Sequence, residues 1–200
     1  MQTCLRLGLT VSDEILYYNT LFTDQLHVLS DNSYDFVISM NYTSTFKKAL
    51  KKKSNVQIDG NNFCYIHGNI KNENIVIGTD THEYKDEISA VNMLKIPFYK
   101  FFQRILNKTD ENYTHWINKY CYELTFYGFS FGINDYDLIT ELIKMNEDQK
   151  EEKVKNNLSK VIIYYLTEKD KYNYLVNLTS CLGKDVMNKL KYKLEFKHIN

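Results

Sequence analysis

The chain has 200 residues, of which 44% are apolar, with 17 Tyr and 11 Phe, so it is long enough for one domain with a sizeable core. Its 25 Lys and Arg balance 25 Asp and Glu, and no net field steers it toward nucleic acid or an anionic membrane. Arg6 and Arg104 are its arginines. Because Arg is the usual side chain for bidentate phosphate recognition, we do not expect extensive nucleic-acid binding.

Cysteine and histidine spacing argues against disulfides and metal sites. Four widely spaced cysteines form neither a CxxC pair nor a dense framework, which is typical of reduced core residues. The histidines show no HxxxH or HxH spacing, so we expect no bound metal. No uncharged run approaches the roughly 20 residues of a membrane span. The first residues also lack a signal peptide, which favours a cytoplasmic protein without membrane insertion.

The first half of the chain alternates predicted helices and strands. Periodic apolar residues predict a helix over Ser12–Leu29, and β-branched residues predict a buried strand over Tyr34–Met40. A short basic helix is predicted over Thr45–Lys53. Its lysines most simply form a solvent-exposed helix face, and a phosphate contact is the alternative. Two further strands are predicted at Asn62–Ile66 and Ile75–Ile77.

The second half continues the alternation. A long helix is predicted over Ile88–Leu106, where Pro97 should kink or split it. A strand over Leu124–Tyr127 leads through the loop GFSFGIN into a helix that opens near Asn134 and Asp135.

A charged segment separates this unit from the C-terminal elements. Residues 146–157 predict a linker or an exposed helix. Val161–Leu166 is the clearest strand, Lys171–Gly183 predicts a helix closed by glycine, and Asp185–Phe196 fits helix or strand. The alternation favours a single α/β domain over residues 1–200, with a Rossmann-like, mostly parallel sheet flanked by helices.

Polar residues follow three of the predicted strands. Ligands of open α/β sheets bind beyond the carboxyl ends of the strands, because polar loops converge there. The candidates are Asn41, Tyr42, Thr43, His67, Gly68, Gly128, Ser130 and Asp135.

His67 and Asn41 carry the candidate chemistry among them. An imidazole can act as a general base near neutral pH, and an amide can hold a ribose hydroxyl or orient water. A structural interpretation stands beside this one, in which Asn41 forms a turn and His67 satisfies neighbouring backbone groups. Gly128 and Gly132 likewise fit turn positions as well as a phosphate loop.

Four segments together carry a family resemblance. They read FVISMNYTSTF, FCYIHGNIKNENIVIGTD, FYKFFQRI and ELTFYGFSFGINDYDLI, and with the tail VIIYYLTEKDKYNYLVNLTSCLG the chain resembles the AbiH family of bacterial abortive-infection proteins. That family looks like a distant relative of sirtuin-like nucleotide-binding proteins. The resemblance implies defence against phage and cleavage of the nicotinamide–ribose bond of NAD or a related nucleotide. It implies that Asn41 positions ribose or water, that His67 is the base, and that Asp135 orders the distal loop.

The N-terminal segment and one loop residue depart from the family pattern. The family usually begins with a strand and a glycine-containing phosphate loop that MQTCLRLGLTVSDEILYY does not match, so we expect this first strand and loop to be missing. Phe129 stands where the family more often has His. The chain could then be the C-terminal piece of an interrupted reading frame, with an unpaired sheet edge and dimerisation through that edge.

Two functions remain open from the sequence. The first is a phage-defence effector that degrades NAD or another nucleotide in the manner of an NAD glycohydrolase. The alternative is a non-catalytic sensor or protein-interaction module that keeps the fold without the phosphate loop and presents an aromatic surface. In either case, a phage or host protein would serve as the trigger.

Overall fold

Five strands and three α-helices form the described part of the molecule. The computed structural model describes residues 36–40, 62–79, 96–109, 113, 115, 122–144 and 158–199. In chain order the elements are β1 (Val37–Ser39), β2 (Phe63–Tyr65), α1 (Lys100–Asn107), β3 (Tyr122–Phe126), α2 (Tyr136–Lys144), β4 (Leu158–Tyr165), α3 (Glu168–Leu190) and β5 (Leu194–His198). Short 3₁₀ turns lie at Ile70–Asn72, Ile96–Phe98 and Ile133–Asp135.

All pairings between the described strands are parallel. β1 pairs with β2, and β4 lies between β3 and β5 in a three-stranded sheet. β4 is an almost continuous apolar run whose side chains are buried from Val161 to Tyr165, which is typical of a parallel strand covered on both faces. These pairings and the flanking helices confirm the predicted α/β class with its parallel sheet.

The core joins the two sheets with the C-terminal helices. Cys64 of β2 and Ile66, the residue after that strand, belong to the same buried cluster as Ile163 of β4. α2 contributes Leu138, Ile139, Leu142 and Ile143, and α3 contributes Leu178, Cys181 and Leu182. The spacing of three and four residues places each set on one helix face, so α2 and α3 present their apolar stripes to the sheet.

Several predicted elements are confirmed with shifted ends. Pro97 lies in a 3₁₀ turn, Tyr99 has an extended backbone, and α1 begins only at Lys100, so the described part of the predicted helix is α-helical only after the proline, and residues 88–95 lie outside the described ranges. The backbone leaves the helical conformation at Gly183, where the sequence predicts a helix end, and a further helical segment continues to Leu190. The segment Asp185–Phe196 is therefore helix first and strand afterwards.

The predicted strand at Ile75–Ile77 is wrong. Residues 74–77 have no regular secondary structure, and Ile77 is exposed. The Gln103 side chain accepts a hydrogen bond from the backbone N–H of Ile77 (3.0 Å) and donates one to its carbonyl (2.6 Å). A helix side chain thus takes both bonds that a neighbouring strand would need.

Other predictions fall outside the described residues. They are the helices over Ser12–Leu29 and Thr45–Lys53, the site residues Asn41, Tyr42 and Thr43, and the charged segment 146–157. No helix within the described ranges is both long and apolar enough to cross a membrane.

Candidate functional site

A tight loop after β2 positions His67. The backbone N–H of Gly68 donates to the Tyr65 carbonyl (2.8 Å), and the N–H of Val76 donates to the His67 carbonyl (2.9 Å). The chain therefore turns at Gly68 and returns past His67. The Asn74 side chain closes the loop by accepting from the N–H of Asn69 (3.0 Å).

Gly68 is required by this loop. Its φ is 70°, in the left-handed region, and a Cβ built on it would lie 1.9 Å from the Asn74 carbonyl oxygen. Only glycine avoids that overlap. Steric overlap alone therefore explains why glycine follows His67, which agrees with the structural interpretation. The assignment of Gly68 to substrate binding stays a prediction.

A second loop, between β3 and α2, delivers Asp135. Phe131 lies fully buried in this loop and packs edge-on against Phe126 and Tyr174. The 3₁₀ turn that follows is closed by the N–H of Asp135 donating to the Gly132 carbonyl (3.0 Å). An aromatic anchor thus fixes the segment that carries the carboxylate.

The two loops meet at a hydrogen-bonded triad of His67, Asp135 and Lys100. His67 Nε2 lies 3.2 Å from Asp135 Oδ1, and Lys100 Nζ lies 2.7 Å from the same oxygen. The side chains are 5%, 19% and 12% exposed for His67, Asp135 and Lys100, respectively. Lys100 is the first residue of α1, so three separate segments contribute to the contact.

The protonation states of the triad follow from its surroundings. Burial raises the pKa of Asp135, but hydrogen bonds from His67 and Lys100 and the charge of Lys100 outweigh burial and lower the pKa to about 2. Burial lowers the pKa of His67 below 6.5, as do the charges of Lys100 and Arg104, against the opposing effect of Asp135. At neutral pH an ionised Asp135 therefore faces a neutral imidazole.

This arrangement fixes the imidazole tautomer. An ionised carboxylate can only accept hydrogen bonds, so the hydrogen of His67 lies on Nε2, which donates to Asp135. Nδ1 then carries the lone pair and is the basic atom of the ring. A carboxylate that orients a neutral histidine in this way is a recurring device in general-base catalysis. The same contact would also tie the two loops together structurally.

The structure brings two of the predicted site residues into contact and shows no hydrogen bond between them and two others. His67 and Asp135 are in direct contact, although the family resemblance implied only that Asp135 orders the distal loop. Among the described residues, no hydrogen bond joins Gly128 or Ser130 to the triad, and the Ser130 carbonyl instead accepts from Asn177 (3.0 Å). β1 ends at Ser39 beside Tyr65, which precedes His67 by two residues.

Lys100 and Arg104 are the site residues that the sequence did not predict. Their spacing of four places them on one face of α1, and Arg104 is only 2% exposed. The signal was present in FYKFFQRI, since a basic pair at this spacing interrupts an aromatic helix. In the described ranges, no group of three or more His, Cys, Asp and Glu residues is arranged to hold a metal.

The fold and the site define an α/β protein in which a buried His67, beyond the end of a parallel strand, contacts the partly buried Asp135, which also binds Lys100. The family model for bacteriophage abortive infection AbiH matches residues 9–173. The chain therefore belongs to the AbiH family, whose proteins act in abortive infection, and this supports a role in resistance to bacteriophage. No curated protein and no solved structure matches it. The match begins within the N-terminal segment, and the expected loss of a first strand and phosphate loop stays a prediction.

Proposed function

We propose that this AbiH protein acts in phage defence by hydrolysing an N-glycosidic bond of NAD or a related nucleotide, with His67 as the general base. The observation that supports the proposal is the contact of Asp135 with Nε2 of a neutral His67, which directs the lone pair to Nδ1. Asn41, two residues beyond β1, is the proposed partner for ribose or water, with Tyr42 and Thr43 beside it.

The chemical step uses water as the nucleophile. A water oxygen bonds to C1′ of the nicotinamide ribose, the C1′–nitrogen bond breaks, and nicotinamide leaves with the bonding electron pair. The proton of the water passes to Nδ1 of His67. Because His67 is buried, substrate binding would have to bring this water into contact with the ring.

The test is nicotinamide release and NAD loss with purified protein, with and without a phage lysate as activator. We expect turnover by the wild type and a loss of about 10²-fold or more in His67→Ala, the usual contribution of a positioned base. His115→Ala is the matched control, since His115 is an exposed helical histidine. No NAD loss from folded protein under any condition would exclude NAD cleavage.

The pH dependence of this activity adds a second readout. The pKa of His67 lies below its ordinary value of 6.5, so the base stays neutral as the pH falls through 6.5. We expect kcat/KM to decline only at lower pH. A decline centred at 6.5 or above would contradict the assignment of His67.

A second candidate function is a non-catalytic sensor that binds a phage or host protein. It is favoured by an exposed apolar stripe formed by Phe98, Phe101 and Ile105, which are 67%, 41% and 49% exposed. Phage plating efficiency discriminates between the two candidates. The sensor function predicts that protection survives His67→Ala and is lost in a folded Phe98→Glu, Phe101→Glu variant, whereas the enzymatic function predicts the reverse.

A further inference from the structure

Arg104 is a buried cation whose charge the described surroundings do not balance. It is 2% exposed, and within residues 36–40, 62–79, 96–109, 122–144 and 158–199 its guanidinium forms no ion pair. A buried guanidinium without acceptors is costly, because its five N–H donors lose their water. An anion bound beside α1 would supply such acceptors.

Lys100 adds a second cation on the same face of α1. Its ammonium donates to Asp135 Oδ1 (2.7 Å), an oxygen that already accepts from His67. Lys100 and Arg104 carry two positive charges and Asp135 one negative charge, while His67 is neutral, so the group keeps one positive charge. An anion at this face of α1 would therefore find two cations four residues apart.

The backbone holds Arg104 in place independently of its side chain. The Arg104 carbonyl accepts from the N–H of Thr109 (3.1 Å), and the Thr109 hydroxyl donates to the Ile66 carbonyl (3.0 Å), next to His67. α1 is therefore tied to the loop that carries the histidine. Arg104 is also close enough to lower the pKa of His67 by its charge.

We propose that Lys100 and Arg104 form a phosphate-binding subsite beside His67. A phosphate group offers several oxygen acceptors in the geometry that a guanidinium fork and an ammonium bind best. The proposal deepens the proposed function and rests on the same site, since it names the group by which a nucleotide substrate would be held. Free phosphate and the phosphate of a nucleotide share this chemistry.

Thermal unfolding of the full chain tests the subsite. We expect inorganic phosphate to raise the Tm above its value in chloride of equal ionic strength, and AMP to raise the Tm more than adenosine does. Acetate tests whether any carboxylate suffices and should give little change. No rise with phosphate, an equal rise with adenosine, or an equal rise with acetate would overturn the proposal.

Variants assign the effect to the two cations. Lys100→Met and Arg104→Lys should weaken phosphate binding by about tenfold or more, as expected for a lost charged hydrogen bond. Lys169→Met, at an exposed position of α3, is the matched control and should keep the full response. If Arg104→Lys does not fold, the test rests on Lys100→Met. A Tm increase with phosphate in Lys100→Met that equals the wild-type increase would contradict the subsite.

The outcome separates the subsite from the catalytic proposal. If the protein binds phosphate in a way that depends on Lys100 but does not cleave NAD, the phosphate subsite is supported and NAD cleavage is excluded. Conversely, the protein could cleave NAD in a way that depends on His67 and yet show no change in Tm with phosphate. That result would contradict the phosphate subsite and support the catalytic proposal.

Discussion

The Asp135 carboxylate accepts from two donors through one oxygen, so its charge should contribute to stability. Its folded pKa of about 2 lies below the ordinary 3.8, so the stabilisation is fully present above about pH 4 and is lost as the pH falls toward 2. Since the side chain is 19% exposed, solvent screening reduces this contribution to about 1 to 2 kcal/mol.

Asp135→Asn tests this contribution because an amide oxygen can still accept while the charge is gone. We expect the variant to lose about 1 to 2 kcal/mol of unfolding free energy at pH 7, measured by urea denaturation. The difference from the wild type should narrow as the pH falls from 4 toward 2, since the carboxyl of the unfolded wild type, with its ordinary pKa of 3.8, takes up a proton before the folded one does. A difference that stays constant over that range would mean that the charge is not the cause.

Gly68 and Gly128 form a matched pair for testing the loop after β2. Both have positive φ, 70° and 64°, but only at Gly68 would a Cβ overlap other atoms, and at Gly128 nothing lies within 4 Å. Gly128→Ala should cost about 1 kcal/mol from the left-handed backbone alone. Gly68→Ala should cost about 3 kcal/mol or more, because the loop around His67 must also shift. Similar unfolding free energies for the two variants would contradict the close packing of this loop.

α3 begins with a complete capping box that follows the central strand. The Thr167 hydroxyl accepts from the N–H of Asp170 (3.2 Å), and the Asp170 carboxylate accepts from the N–H of Thr167 (3.0 Å). Thr167→Ala should therefore lower the unfolding free energy by about 1 kcal/mol in urea denaturation. Thr167→Ser keeps the hydroxyl and is expected to lose much less. Equal losses in the two variants would show that the hydroxyl bond contributes little.

Strands β3 and β4 were predictable because local pattern and burial agree in them. VIIYYL is apolar on both faces, as a central parallel strand must be. The effect of Pro97 was also predictable, since α1 begins only at Lys100, after the proline. The position of His67 in the candidate site was predictable from a general rule for α/β sheets. His67 lies just beyond a parallel strand, as polar ligand-binding residues of α/β sheets do.

Helix α1 shows why the rest of the site could not be predicted. Apolar periodicity predicts this helix through Phe98, Phe101 and Ile105, yet these residues are exposed while Arg104 is buried. A hydrophobicity pattern assigns the buried face by the free energy of transfer from water, which never favours a guanidinium. Lys100 on the same helix contacts Asp135, and the charge of Arg104 acts on His67, so tertiary structure overrides the pattern in a way that no local rule records.

The connection between the two halves of the molecule bears on the single-domain prediction. β3 and α2 precede residues 146–157, whereas β4 and α3 follow them, and β3 pairs with β4 along five residue pairs. α2 and α3 also contribute to one core cluster. If the chain is one domain, the segments on either side should hold together without the covalent link between them.

Cleavage inside this segment tests that expectation. We would insert a site for a specific protease between Lys150 and Glu151, cut the folded protein, and measure its size by gel filtration without denaturant. Because the buried pairing of β3 with β4 and the packing of α2 on α3 cross the cut, we expect both fragments to elute together at the uncut size. The same cut protein run in urea is the control, since its fragments should separate once the core that holds them is unfolded. Fragments that separate after cutting in the charged segment would show two domains joined by a linker.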